Sequence, residues 1–246
     1  MKVAIIGGGN LGSALAKALV KKYDVIVTRR NVEKIRYLRD LGCEITNDNV
    51  NAVKNSDVVI LTVKKVHVYD ILNEIPKNKI TISFVAGLSY GELKNKLSKP
   101  VKAMTMLSAE FGKGITIYYS ELDENDEKVV EEVLSSFGDV VKGDEREVDM
   151  LTAFASSIAF ISKMYESFVY SGLRLGFRYD LAKRIAINVF EGAIALLKSY
   201  EPNEVIKRVT TPAGTTIEGI VKMFEHRVDF ALIDAITTSA KRLMDL

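Results

Sequence analysis

The chain has 246 residues, of which 48% are hydrophobic and 27% charged, and its formal net charge is +2. This is ordinary soluble globular composition, long enough for one large domain or two small ones with a substantial core. It argues against a nucleic acid or an anionic membrane as partner, while a single cysteine and two distant histidines argue against a disulfide and a structural zinc site.

The chain opens on a strand-like KVAIIGGG, so no signal peptide is expected. VAII leads into a helical pattern over residues 11–22, and DVIVT into one over residues 32–41. A helix over 48–55 precedes DVVILTV, which is followed by a helix over 66–75. KITISFVA, a helix over 90–97, VKAMTM, GITIYY, a helix over 124–137 and DVVK complete the series. Near-continuous apolar strands alternating with amphipathic helices predict a Rossmann-like, doubly wound and mainly parallel sheet. From Glu145 the strand signals stop. Helices are predicted over residues 148–171, 180–200, 215–225 and 230–246, with breakers at SGLRLGFRYD, YEPNE and TTPAG. The charged stretch 142–147 is the expected boundary, giving an α/β domain over 1–144 and an all-α domain over 145–246. The longest uncharged run of the helical region, 150–162, is too short to span a bilayer, so the expected setting is cytoplasmic.

Gly7, Gly9 and Gly12 stand in G-x-G-x-x-G register between a strand and a helix. The first glycine permits the tight turn, the second the approach of a pyrophosphate, and the third close helix–strand packing. Asn10 and Leu11 open the helix whose amides would face the phosphates. The second strand ends VIVTRRN, without the acid that accepts from a ribose 2′-hydroxyl in NAD binders. Thr28, Arg29, Arg30 and Asn31 instead offer donors suited to a 2′-phosphate, so NADP is the expected cofactor.

Several segments together resemble the pyrroline-5-carboxylate reductase family. GGGNLG resembles its glycine turn, SDVVILTVKK its strand ending in Val-Lys, and FVAGLS its Ala-Gly turn. TTPAGTTIEG resembles its threonine-rich loop, T-x-P-G-G-T-T-I, and ALIDAITTSAKRLMDL its last helix. The resemblance runs in order across nearly the whole chain. It implies NADPH-dependent reduction of 1-pyrroline-5-carboxylate to L-proline, with Val63, Lys64, Ala86 and Gly87 near the cofactor. It also implies that Thr216 hydrogen-bonds the ring nitrogen and that Thr211 contacts the carboxylate. Two segments depart from the family pattern. KAMTMLS stands for R-x-M-P-N-T-P, placing Thr105 and Met106 at altered positions, and ASSIAFI stands for S-G-S-G-P-A-Y.

The threonine loop also has a physical rationale of its own. A small ring carrying a carboxylate needs converging donors, which helix-start amides and hydroxyls supply. Pro212 would fix the turn, Gly214 would permit close approach, and Thr215 or Thr216 would be the helix N-cap. Thr211, Gly214, Thr215 and Thr216 are thus the expected substrate residues, with Thr216 catalytic. His67, one turn past Lys64, is a candidate for the adenine or ribose region but reads more simply as a partly exposed helix residue; His226, Asp70 and Glu74 read as surface residues and Cys43 as a buried strand residue. The small-residue-rich helices after Glu145 suggest a homodimer or higher homo-oligomer.

Two other functions fit the same scaffold. One is another imine reductase or a β-hydroxyacid-dehydrogenase-like oxidoreductase. The latter needs a lysine acid, for which Lys163 is the candidate, without the flanking glycines and with Glu166 where an asparagine is required. The other is an NADP-binding regulatory protein that has lost catalysis.

Overall fold

The computed structural model describes residues 1–244. Eight strands are β1 (Lys2–Ile6), β2 (Asp24–Thr28), β3 (Glu44–Thr46), β4 (Val58–Leu61), β5 (Ile80–Ser83), β6 (Pro100–Thr105), β7 (Gly114–Ser120) and β8 (Gly138–Lys142). They form one sheet in the order β3-β2-β1-β4-β5-β6-β7-β8. Every pairing is parallel except β6 with β7. The 106–113 connection between those two holds only a 3-10 turn, Leu107–Phe111, and is too short for the crossover that a parallel strand requires.

Alternation along the strands builds two cores. Val3 and Ile5 of β1 face one side, with Val25, Val27, Val58 and Ile60, and are covered by α1 (Asn10–Leu19) and α6 (Glu124–Leu134). Ala4 and Ile6 face the other side, with Ile26, Val59 and Leu61. There α3 (Asn49–Lys54), α4 (Val68–Glu74) and α5 (Tyr90–Lys94) cover them. Both faces are buried, which is why these strands are apolar at nearly every position. The expected helix over 32–41 is instead a 3-10 turn, Val32–Ile35, followed by the single helical turn α2 (Tyr37–Asp40). Cys43 is buried as expected but lies one residue before β3, in the turn after Gly42.

The described chain divides into two compact units: Met1–Ala155 with the described residues after Ser239, and Ser156–Ser239. The expected division at residues 144 and 145 differs from this packing by one helix. α7 (Glu145–Ala155) lays Val148 and Leu151 on Met104 of β6 and on Ile115 and Ile117 of β7, so it closes the sheet's last face. The single helix expected over 148–171 is therefore two, α7 and α8 (Ile158–Arg174), separated at Ser156 and Ser157.

In the second unit α8 packs on α9 (Tyr179–Leu197) through Val169, Ala182 and Ala186. Contact is close enough that a Cβ on Gly172 would lie 2.9 Å from the Ala182 Cβ. α10 (Pro202–Val209), which the sequence pattern did not reveal, starts with Pro202 and carries a Glu204–Arg208 ion pair of 3.0 Å. Its apolar residues Val205, Ile206 and Val209 share one face, but the helix is short and begins inside the breaker YEPNE, so its pattern reads as a connection. α11 (Thr215–Glu225) has the expected bounds. α12 (Val228–Met244) starts two residues before the helix expected over 230–246, whose last two residues lie outside the described ones.

Candidate cofactor and substrate site

β1 ends where the sheet order reverses, between β2 and β4, the place where ligands collect in open α/β sheets. Gly7 takes φ +112°, and the Gly7 and Gly8 amides both donate to the Thr28 carbonyl, at 3.2 and 2.7 Å. A Cβ on Gly12 would lie 2.2 Å from the Gly7 oxygen and 2.6 Å from Thr62 Oγ1, so only glycine fits. A Cβ on Gly9 would meet nothing within 4 Å. Gly9 is also the N-cap of α1 and makes no side-chain cap, so the first-turn amides of Asn10, Leu11 and Gly12 are left without an intrahelical or capping partner. This cradle fits a pyrophosphate.

The flanking candidates gather along neighbouring strand ends. Val63, half-buried, packs beside Gly7, while Lys64 is exposed. Lys65 reaches across to donate to the Gly87 carbonyl, and Thr62 Oγ1 donates to the Gly7 carbonyl at 2.7 Å. Sequence reasoning passed over Thr62 and Lys65, although a hydroxyl closing an apolar strand and a doubled lysine were visible. Ala86 is exposed and Gly87 takes φ +73°. Thr28 is buried and braces the glycine turn through its carbonyl. The expected pair of free guanidinium forks is split: Arg29 Nη1 donates to the Gly8 carbonyl at 2.6 Å, whereas Arg30 is exposed.

Next to Gly87 lies a cavity of about 670 Å³, also lined by Ser89, Lys102, Glu145, Arg146, Asp149 and Met150. Lys102, only 5% exposed at its side chain, holds Glu145 Oε1 and Asp149 Oδ1, each at 2.8 Å. Glu145 also accepts from the Tyr90 amide at 2.7 Å. Burial pushes the Glu145 carboxyl up, but the Lys102 ammonium and the Tyr90 amide outweigh it and hold it below the usual range. This cluster escaped the sequence reading because its partners lie far apart in the chain; a lysine within an otherwise apolar strand was its only signal. The altered residues of KAMTMLS, beside it, are structural. Thr105 Oγ1 donates to the Ile115 carbonyl at 3.0 Å, bracing β6 on β7, and Met106 packs with Met104, Val148 and Leu151.

In the second unit Thr211, Pro212, Ala213 and Gly214 form a turn closed by the Gly214 amide on the Thr211 carbonyl, at 3.0 Å. Pro212 suits the first central position, and Ala213 holds φ +57° at the second, as a type II turn requires. A Cβ on Gly214 would lie 2.4 Å from Thr211 Oγ1, so close approach does demand glycine. The expected N-cap is corrected. Gly214 caps α11, and Thr215 and Thr216 are its first helical residues, because extended backbone at Gly214 already starts the helix. Among the described residues the hydroxyls of Thr211, Thr215 and Thr216 have no hydrogen-bond partner, so they remain available together with the first α11 amides.

Lys163 is 74% exposed and paired with Glu166. His67 lies in a 3-10 turn, Lys65–His67, and is exposed. Among the described residues no three His, Cys, Asp or Glu side chains gather as metal ligands, and no helix is long and apolar enough to cross a membrane.

The family model described as pyrroline-5-carboxylate reductase dimerisation matches residues 145–246, and one described as NADP oxidoreductase, coenzyme F420-dependent, matches residues 2–87. Over its whole length the chain is 33% identical to the pyrroline-5-carboxylate reductase of Aquifex aeolicus, covering 97% of that protein. The chain belongs to the pyrroline-5-carboxylate reductase family. The solved 1-pyrroline-5-carboxylate reductase of Streptococcus pyogenes shares the fold, with a TM-score of 0.89 at 23% identity, over 100% of this chain and 99% of that one. So does the Plasmodium falciparum pyrroline carboxylate reductase with NADP bound, with a TM-score of 0.87 at 21% identity, over 99% and 97% of the two chains. The resemblance expected from the glycine and threonine turns is thus borne out across the whole chain.

The Ala86–Ser89 turn of this reductase-family chain is pinned by a capping box, in which Glu92 accepts from the Ser89 amide and hydroxyl. The Tyr69 hydroxyl, first, and then the Ser89 donors lower the Glu92 carboxyl to about 2. A depressed carboxylate contributes stability above its unfolded value and loses it as pH falls through the folded one. Stability should therefore decline between pH 4.5 and about 2 in part through Glu92. Glu92→Gln should flatten that decline in denaturant titrations run across this window; an unaltered slope would count against the capping role.

Proposed function

We propose that this chain reduces 1-pyrroline-5-carboxylate to L-proline with NADPH. The observation that carries this reading is family membership that spans both the glycine turn and the threonine turn. NADPH, when bound, supplies the hydride that reduces the imine carbon of the ring. The Gly9 opening and the Asn10, Leu11 and Gly12 amides hold the pyrophosphate. Val63, Lys64, Ala86 and Gly87 flank the dinucleotide along the strand ends, and the Thr28–Arg30 segment receives its 2′-phosphate end.

The threonine turn takes the imino acid. Its carboxylate meets the Thr211 and Thr215 hydroxyls and the first amides of α11, with Gly214 allowing the backbone to approach. The Thr216 hydroxyl accepts from the protonated ring nitrogen and orients the ring. A substrate that arrives protonated needs no strong general acid, and the turn itself carries none. A cytoplasmic setting belongs to the same reading, supported by a single thiol, Cys43, which burial pushes up to about 11.

The chain also forms a homodimer in this proposal, through the region from Glu145 onward. Support comes from its matched dimerisation family and from apolar side chains left uncovered in one copy. Leu175 is 78% exposed, Phe230 68% and Phe224 67%, more than a lone helical unit carries without a partner.

Thr216→Val nearly keeps the volume but removes the hydroxyl. A hydrogen bond to a charged group is worth on the order of 1.5–3 kcal/mol, so turnover should fall roughly ten- to a hundredfold with little change in NADPH binding. Thr210 is the internal control. Its hydroxyl is buried without a partner among the described residues, so Thr210→Val should leave turnover near wild type and stability equal or higher. Wild-type kinetics in Thr216→Val would remove the loop from the site. Sedimentation of the full-length chain at micromolar concentration should give a dimer or a multiple of it, and a monomer would refute the assembly.

A further inference from the structure

The two arginines after β2 go to different places. Arg29 is half-buried, and its Nη1 reaches back to the Gly8 carbonyl at 2.6 Å, while the Gly8 amide bonds to the Thr28 carbonyl at 2.7 Å. Arg29 thus ties the glycine turn to the end of β2. Arg30 is exposed and turns toward the 3-10 turn after β4, where its Nη2 lies 3.4 Å from Nε2 of His67. β2 and β4 flank β1 on either side, so this pair bridges the strand ends across the mouth of the glycine turn.

Two nitrogen-bearing side chains are held side by side here, Arg30 donating to the imidazole. Among the described residues neither Arg30 nor His67 forms an ion pair with a carboxylate. Both side chains therefore remain available to a shared anion. The guanidinium offers a fork and the imidazole a single directed N–H, so together they suit a phosphate monoester. With a phosphate bound beside them, the guanidinium fork and an imidazole N–H both donate to its oxygens.

We infer that His67 is a specificity-determining residue for the cofactor, holding the 2′-phosphate of NADPH together with Arg30. Arg29 is a positioning residue that acts through Gly8 and senses any dinucleotide alike. This assignment rests on the NADPH reading above, and the test separates the two.

Dissociation constants of the full-length protein are measured for NADPH, NADH and 2′,5′-ADP, which carries the 2′-phosphate without a nicotinamide. Arg30→Ala should lower the NADPH-to-NADH affinity ratio about ten- to a hundredfold, and His67→Ala about three- to tenfold, each weakening 2′,5′-ADP in proportion. Arg29→Ala should weaken NADPH and NADH by the same factor. Arg29→Lys, which keeps a donor for Gly8 if the alanine variant does not fold, should hold the wild-type ratio. A wild-type ratio in His67→Ala, or a ratio that falls in either Arg29 variant as it does in Arg30→Ala, overturns the inference while leaving NADPH as cofactor. Wild-type protein that prefers NADH and does not bind 2′,5′-ADP overturns both.

Discussion

At the head of α1 there is no room for a side chain at Gly12, where a Cβ would lie 2.2 Å from the Gly7 carbonyl. That contact brings the first helix onto the first strand at the point where the sheet order reverses. Much of the site's geometry follows from it. The Gly7 carbonyl accepts from Thr62, Val63 packs on Gly7, and the end of β2 closes over the turn through Thr28 and Arg29. A turn held on three sides keeps the fourth open, and at Gly9 that opening faces the uncapped start of a helix. The proposed binding capacity is thus a by-product of close packing: the backbone polar groups that packing leaves over are the ones a pyrophosphate would satisfy.

The threonine turn repeats this logic with different residues. Gly214 is needed because Thr211 lies against it, and the helix that follows starts without a side-chain cap. Ala213 takes a left-handed conformation where the family motif has glycine, at a cost of roughly 1–2 kcal/mol for an L-residue. Strain tolerated at a turn whose hydroxyls stay free of partners fits a site better than it fits a helix start, which a single cap would serve more cheaply.

Most of the fold was legible because both faces of the sheet are buried, so its strands read as apolar runs between amphipathic helices. What stayed hidden had physical causes. α10 is only eight residues long and begins inside the breaker YEPNE, and the break at Ser156 and Ser157 interrupts an apolar pattern that continues on both sides. The antiparallel β7 follows from the length of one connection, not from any feature of the strand itself. In the site, glycines and threonines announced themselves because few positions require them. Arg29 did not: its sequence context suits a phosphate ligand and a carbonyl partner equally, and only the fold decides between them. Lys102 with Glu145 and Asp149 is a cluster of ordinary surface residue types, made specific by β6 meeting α7.

The central claim is that the chain carries out hydride transfer, and not merely dinucleotide binding on an inherited scaffold. The direct measurement uses NADPH deuterated at the transferred C4 position, with 1-pyrroline-5-carboxylate and the purified protein. The account predicts proline labelled at C5, formed in step with oxidation of the cofactor. NADPH binding without imine-dependent oxidation, or proline formed without the label, would contradict it.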